Sequence, residues 1–456
     1  MNLILGAGLA GLSASYHLGH ERCLLLEKNL HAYGHLHTDF RDGFTWDQGP
    51  HVSFTKHEYV RDLFAKSVGA EGYEDYEVQT GNYYQGHWID HPAQSSLYQV
   101  PEPLRSDCLA SFLASRSSTI PAPPANYADW LDRAFGPVFA RTFPFAYTRK
   151  YWTREARDLT IDWVGGRVFQ PKVEDVVAGS RGPLGKATHY ITKVRYPKRG
   201  GYQAFARGLA EGARIRFGAE VCRIDLVEKR VWTADGLSYP YARLINTLPL
   251  PVFVALCAQA TPEVREAARE LSCSQLLLVN VTAPHPTRRK ENWIYVYDED
   301  KFSTRINCTE LLTPGNAPAG HTGVQVEVYF NRHRPLEHPP ATIAARVKEE
   351  LVEMGLIDRA ALAAGRVGCS TAYSPWANVI FDHGTRPALE AIWSWLEGFG
   401  LARETDDLSP LTDWSRSDAV APGALAMAGR FGQWKYYWTD DCVLRGLKIK
   451  EGVSNL

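Results

Sequence analysis

At 456 residues the chain is long enough for two or three packed units of on the order of 150 residues each. Its 50 Lys plus Arg balance 51 Asp plus Glu, so no cation excess is available to neutralise a nucleic-acid backbone. No run of ~18 apolar residues marks a membrane span, and the 8 cysteines form no Cys-x-x-Cys pair, which reads as a reduced, cytoplasmic globular protein.

The first 18 residues are apolar, but they lack a basic leading segment and are broken by Gly6, Gly8 and Gly11, so they read as fold and not as a secretory signal. Residues 2–5 form an apolar run, 9–18 are helix-compatible, and 23–26 form a second apolar run closed by Glu27. That order predicts strand, tight turn, helix and strand, a βαβ unit. Helical spacing recurs at 57–68, and after the stiff break at Pro121, Pro123 and Pro124 a helix is predicted over 127–135 with Asn126 as N-cap. Residues 172–194 read as a long surface excursion, and a helix is expected over 202–209. From 215 the texture changes to short strands at 215–217, 220–225, 230–233 and 244–246, with the turn signal Asp235-Gly236 among them. Strands follow at 276–281 and, with alternating polarity, at 324–330; helices are expected at 342–354 and 387–399, and a small-residue strand at 424–428 delivers Gly429 into a turn.

Gly6-Ala-Gly8-Leu-Ala10-Gly11 carries the sharpest chemistry. The first glycine permits the tight turn, the second lets backbone approach a pyrophosphate, and the third lets helix pack on strand. The helix N-terminus supplies free N–H groups and a positive dipole end for the anion. Glu27 is placed to accept from ribose hydroxyls and disfavours a 2′-phosphate. This motif by itself leaves NAD and FAD open.

The segment after Glu27, with Lys28, Tyr33-Gly34, His35 and His37, resembles the extended motif of two-dinucleotide-binding-domain flavoproteins, where a glycine turn meets the flavin side of the pyrophosphate. That family usually has two adjacent glycines where this chain has Tyr33-Gly34. Further matches run along nearly the whole chain. They are Asp47-Gln-Gly-Pro-His51, Tyr147-Thr-Arg-Lys-Tyr-Trp152, Gly200-Gly201, Gly218-Ala-Glu-Val221, Leu244-Ile-Asn-Thr-Leu-Pro249, Ser303-Thr-Arg305 and Gly429-Arg430 through Tyr436, Tyr437 and Asp440. Together they resemble the amine oxidase / protoporphyrinogen oxidase superfamily, in the branch that contains UDP-galactopyranose mutase.

The resemblance implies an α/β fold, a Rossmann-like FAD domain with an inserted α+β substrate domain. It implies a discontinuous FAD domain from 1–70, 195–275 and 415–456, with substrate regions at 71–194 and 276–414. It implies non-covalent FAD held by Gly6, Gly8, Ala10, Gly11, Glu27, Lys28, Gly34, His35, His51, Val221, Gly429, Arg430 and Asp440. His51 would lie beside the flavin ring, Trp152, Tyr436 and Tyr437 would meet substrate, and Arg305 would take an anionic group. Arg149, Arg154 and Arg167 are further anion candidates. His51, Arg305 and Tyr436 are the catalytic candidates, and NAD(P)H is a candidate reductant.

Two chemistries compete. One is hydride transfer from a polar, anionic or sugar-like small molecule to flavin N5, in glycan or secondary-metabolite biosynthesis. The other is a nucleotide-sugar pyranose/furanose mutase that uses reduced flavin N5 as nucleophile. The length of the substrate regions leans toward the oxidoreductase. A third reading, from another class, is a non-catalytic FAD-binding protein. No Gly-x-Ser-x-Gly, His-Glu-x-x-His or phosphate-loop motif points elsewhere. The substrate and the oligomeric state are not legible.

Overall fold

The computed structural model describes residues 1–117, 122–165, 168–184, 193–401 and 424–454. Two sheets organise it. The first is parallel and five-stranded, in the order Leu425–Met427, Arg243–Asn246, Asn2–Leu5, Cys23–Leu26 and Ile215–Arg216. Parallel strands are covered on both faces and so read as continuous apolar runs. Here Ile4, Cys23, Ile245 and Ala426 pack to one side, while Leu3, Leu5, Leu26, Leu244 and Leu425 pack to the other.

On the first of those faces the helix Leu9–Leu18 lies against the helix Thr439–Ser454. Their crossing is tight enough that a Cβ at Gly446 would stand 2.3 Å from Ser13 Oγ, and Ser13 Oγ donates to the Val443 carbonyl at 2.6 Å. The N-terminal and C-terminal segments therefore close on one another.

The second sheet is seven-stranded and mostly antiparallel. Its order is Gly368–Val379, Cys273–Ala283, Thr322–Phe330, Arg305–Cys308, Trp293–Val296, Thr80–Tyr84 and His87–Asp90. One of its faces packs Val279, Val281, Val324, Val326 and Val328 against Ile343, Val347 and Leu351 of the helix Pro340–Glu353. A smaller antiparallel sheet joins Val221–Asp225, Arg230–Thr233 and Ser238–Pro240.

The α/β architecture expected from the sequence is present, with local differences. The predicted helix at 202–209 is a tighter 3-10 turn over Tyr202–Ala206 followed by one α turn, Arg207–Ala210. Gly200 and Gly201, at φ +87° and +65°, turn the chain just before it, and a Cβ on Gly201 would fall 2.2 Å from Thr38 Cγ2. The 172–194 excursion holds a helix, Val173–Gly179, and ends in a strand, Lys193–Pro197. Residues 185–192 of that excursion lie outside the described residues.

Alternation in 324–330 suggests a half-solvated strand, yet Thr322–Phe330 is buried along its whole length. Its polar face, Gln325, Glu327 and Tyr329, is buried too, with Gln325 Nε2 donating to the Asp47 carbonyl at 2.9 Å.

Candidate active site

The cradle begins where the Asn2–Leu5 strand ends. Gly6 takes φ +97°, and a Cβ on Gly11 would lie 2.1 Å from the Gly6 carbonyl oxygen, so the helix can start this close to the strand only with glycine there. The helix N-cap, Gly8, offers no side-chain cap and the first turn has no acid, so backbone N–H groups are free for an anion. Ala10 and Gly429 meet across the cradle, since a Cβ on Gly429 (φ +83°) would stand 2.9 Å from Ala10 Cβ.

The Tyr33-Gly34 departure from a double glycine is resolved by backbone geometry. Tyr33 adopts φ +79° itself, its N–H donates to the Ala7 carbonyl at 2.9 Å, and Gly34 closes over Gly8 with no room for a side chain. A tyrosine in this left-handed region costs on the order of 1 kcal/mol, which the Ala7 bond offsets.

Glu27 is buried at the end of its strand. Its carboxylate accepts from Ala7 N at 2.8 Å and Asn29 N at 2.9 Å, leaving lone pairs for ribose hydroxyls. Lys28 is exposed beyond it, and Val221 is half-buried at the start of its strand. Ala219 N donates to the Glu27 carbonyl at 2.8 Å, which brings the 218–221 turn beside the acid.

Past the glycine turn, a second group of residues gathers around His35, His51 and Arg430. His35 stacks on Phe431 at 5.6 Å; its ring has open surface yet stands deep within the protein, and burial, then Arg430, holds its pKa down at about 4. His51 Nδ1 donates to the Gly49 carbonyl at 2.9 Å and its ring stacks on Tyr202 at 5.5 Å. Burial pushes its pKa to about 3, with His35, Arg430 and Arg305 adding positive charge nearby, so the imidazole is neutral.

Arg430 is fixed by Tyr437 O at 2.8 Å, Ala377 O at 3.2 Å and Asn378 Oδ1 at 3.3 Å, and its guanidinium lies 5.4 Å from the Tyr436 ring centroid. Tyr437 itself is buried, with its carbonyl serving as an Arg430 acceptor. Asp440 is buried in the first turn of the Thr439–Ser454 helix.

Arg305 opens a strand whose cross-strand neighbours are Tyr295 and Glu327. It makes a two-pronged ion pair with Glu327: Nη2 to Oε1 is 2.9 Å, and Nε bonds Oε2. Tyrosines surround this pair. Tyr151 lies 6.0 Å from the Arg305 guanidinium and 4.8 Å from the Tyr329 ring, and Tyr147 stacks on Tyr151 at 5.4 Å and meets Tyr295 edge-on at 5.3 Å. The Tyr436 hydroxyl is 3.2 Å from that of Tyr151, and its ring is 5.3 Å from Trp152, which packs in turn on Trp163 at 4.8 Å.

Gly49 links the two halves of the site. A Cβ there would stand 3.0 Å from Glu327 Oε1, so the His51 turn rests directly on the ion pair. His51, Arg305, Trp152, Tyr436 and Arg430 are thus brought together. Arg149 and Arg154 are directed to carboxylates instead, Glu299 at 2.6 Å and Asp382 at 3.6 Å, and Arg167 lies outside the described residues.

Glu327, Tyr147, Tyr151, Tyr295 and Tyr329 are the participants that sequence reasoning passed over. Alternate polar positions in the 324–330 run were the signal for Glu327 and Tyr329. The tyrosines at 147 and 151, one helical turn apart, were the signal for that wall.

Over residues 9–379 the chain matches the flavin containing amine oxidoreductases, and it belongs to that family. It is accordingly an FAD flavoenzyme of two-dinucleotide-binding-domain fold. Among solved structures it is similar to a reduced UDP-galactopyranose mutase (21% identity, TM-score 0.86, covering 100% of this chain and 95% of that one). It is also similar to an Exiguobacterium sp. 255-15 protein provisionally assigned as a protoporphyrinogen oxidase (15% identity, TM-score 0.70, 100% and 98% covered). A redesigned putrescine oxidase aligns at 13% identity and TM-score 0.60, with 100% and 99% covered. The cradle fits FAD: its glycines leave room for a pyrophosphate, its helix end is uncapped, and Glu27 retains acceptor capacity. Among the described residues, no helix is long and apolar enough to cross a membrane.

Proposed function

We propose that this flavoenzyme acts on the sugar of a nucleotide-diphosphate sugar, as a pyranose/furanose mutase working with reduced FAD. The observation that supports it best is the placement of Arg305 inside a wall of five tyrosines and Trp152, next to His51 and Arg430. An aromatic plate such as Trp152 suits the C–H face of a sugar ring. Hydroxyls of Tyr436 and Tyr151 suit its polar edge, and a guanidinium suits phosphate oxygens.

Bound FAD supplies a hydride acceptor when oxidised and a nucleophilic centre when reduced. Around it, Gly6, Gly8, Ala10, Gly11, Gly34, Gly429 and the helix end hold the pyrophosphate, and Glu27 holds the ribose. Lys28, Val221 and Asp440 complete the rim. Neutral His51 would line the flavin's ring site, and Arg305 and Tyr436 would fix the substrate so that the reacting carbon does not drift. In this reading the five-stranded sheet unit (1–70, 195–275, 415–456) carries the cofactor and the remainder carries the substrate, and NAD(P)H is the reductant.

One observation favours the second reading, a hydride-transferring oxidoreductase on a less charged polar molecule: Glu327 already opposes the Arg305 charge. The two separate in one assay. The holoenzyme is incubated with a panel of nucleotide-diphosphate hexoses and sub-stoichiometric dithionite, and products are resolved by chromatography. Furanose formation over many turnovers, with none for oxidised enzyme, is the expected result. Stoichiometric bleaching of oxidised flavin by a polar substrate, without isomer formation, would replace the mutase by the oxidoreductase.

A further inference from the structure

We propose that Lys150 is a positioning residue that locks the 298–303 loop and thereby sets where Arg305 stands against the tyrosine wall. The inference rests on the reading of Arg305 as the substrate's anion contact.

Lys150 lies on the short helix Ala146–Tyr151, between Tyr147 and Tyr151, and is only 4% exposed. Burying an ammonium in a protein interior is costly unless it is hydrogen-bonded and compensated by nearby negative charge. Its Nζ donates to the carbonyls of Asp298 (2.6 Å) and Ser303 (2.7 Å). Those carbonyls sit at the two ends of the loop that joins Trp293–Val296 to Arg305–Cys308, and Ser303 is two residues from Arg305.

The same loop is gripped from the opposite side by Glu350. Its carboxylate, itself buried, accepts from Phe302 N at 2.8 Å, Ser303 N at 3.0 Å and Ser303 Oγ at 2.6 Å. Gln85 N donates to Asp298 Oδ1 at 2.8 Å, and Thr304 N donates to the Glu327 carbonyl at 3.0 Å. A cation on the tyrosine helix and an anion on the Pro340–Glu353 helix therefore hold one loop between them.

The helix carrying Lys150 is also the helix carrying Tyr147 and Tyr151. One side chain thus ties the position of the aromatic wall to the position of Arg305. Burial draws the Lys150 pKa down to about 7 against the pull of Glu350 and Asp298, and either protonation state keeps two N–H donors for the two carbonyls.

The test compares Lys150→Met, Arg305→Ala and the double variant as FAD-loaded enzymes. For Lys150→Met we expect full FAD content, a KM raised on the order of tenfold with kcat within about twofold of wild type, and a double variant no worse than Arg305→Ala. Amide exchange gives a readout independent of turnover: protection at 302–305 should fall on the order of tenfold while 6–12 is unchanged. If Lys150→Met does not fold, Glu350→Gln loosens the same loop from its other side and should give the same KM shift and exchange pattern.

Unchanged exchange at 302–305, a penalty additive with that of Arg305→Ala, or a loss of thermal stability with KM unmoved would overturn the inference. An impaired Arg305→Ala beside an unaffected Lys150→Met would overturn this inference alone. Arg305→Ala with wild-type KM would overturn the substrate reading and this inference with it.

Discussion

The glycine cradle and the tyrosine wall serve the same site, but they are built from different materials. The cradle is made of backbone: Gly6, Gly8, Gly11, Gly34 and Gly429 work through what they lack, and each stands within a few residues of a strand end. The wall is made of side chains drawn from four separate stretches, around residues 147–152, 295–305, 327–329 and 436. A backbone site is encoded locally and fails when atoms are added. A side-chain site is encoded by long-range register and fails when atoms are removed.

The largest effect is therefore expected from adding one carbon to the cradle. Gly11→Ala places a Cβ 2.1 Å from the Gly6 carbonyl oxygen, so the strand and helix must separate. The cost is expected to be at least about 3 kcal/mol, with FAD lost on purification. Gly8→Ala sharpens the contrast, because its nearest protein neighbour, Gly34 Cα, is at an ordinary 3.7 Å. The apo-protein should melt as wild type, while FAD affinity falls about tenfold because the added methyl meets the ligand. Differential scanning of apo- and holo-protein separates these outcomes. Equal FAD affinity in Gly8→Ala would mean the pyrophosphate does not pass over that residue.

Legibility follows the same division. The five-stranded sheet could be read because its strands are short, apolar on both faces and punctuated by glycine, so the glycine motif, Glu27 and the Gly429 turn stand out in the sequence. Arg305, Trp152 and Tyr436 were reached through family resemblance, because nothing local distinguishes them from ordinary strand and helix residues. Glu327 was not reached at all. Its alternation with Val326 and Val328 reads as a solvated face, and only the arrival of the Ala146–Tyr151 helix and the Gly49 turn over that face buries it. The 202–209 segment, expected as one helix after Gly200-Gly201, is helical but divided, a 3-10 turn over Tyr202–Ala206 and then one α turn, Arg207–Ala210.

On the wall, the next largest effect belongs to Glu327→Gln. Removing the charge from a buried, two-pronged pair leaves the Arg305 guanidinium poorly compensated, at about 2–4 kcal/mol of stability. KM should rise if Glu327 serves to orient Arg305. It should fall if Glu327 competes with an anionic substrate for the same guanidinium, which would support the diphosphate reading. Tyr436→Phe asks for less. It removes the hydroxyl contact to Tyr151 at 3.2 Å and keeps the ring packing on Trp152. The loss is expected to be about 1–1.5 kcal/mol in kcat/KM, roughly tenfold, with FAD content unchanged.

The effect that is smallest at neutral pH probes the seam between the two regions, where His51 stacks on Tyr202 above the Glu327 pair. In the fold its pKa is depressed from an ordinary 6.5 to about 3, chiefly by burial. The folded imidazole stays neutral while the unfolded chain takes up a proton below 6.5, so its contribution is fully present above 6.5 and is lost as pH falls toward about 3. Asp47, two residues before Gly49, acts in the opposite sense: burial raises its pKa to about 6, and its contribution grows as pH falls through that value. Because Asp47 is common to both proteins, it cancels in a comparison of wild type with His51→Asn. The melting temperature of the variant should therefore decline less steeply than wild type between pH 6.5 and pH 4.5, with the two curves parallel above pH 7. Curves that stay parallel throughout would mean the His51 ring reaches solvent.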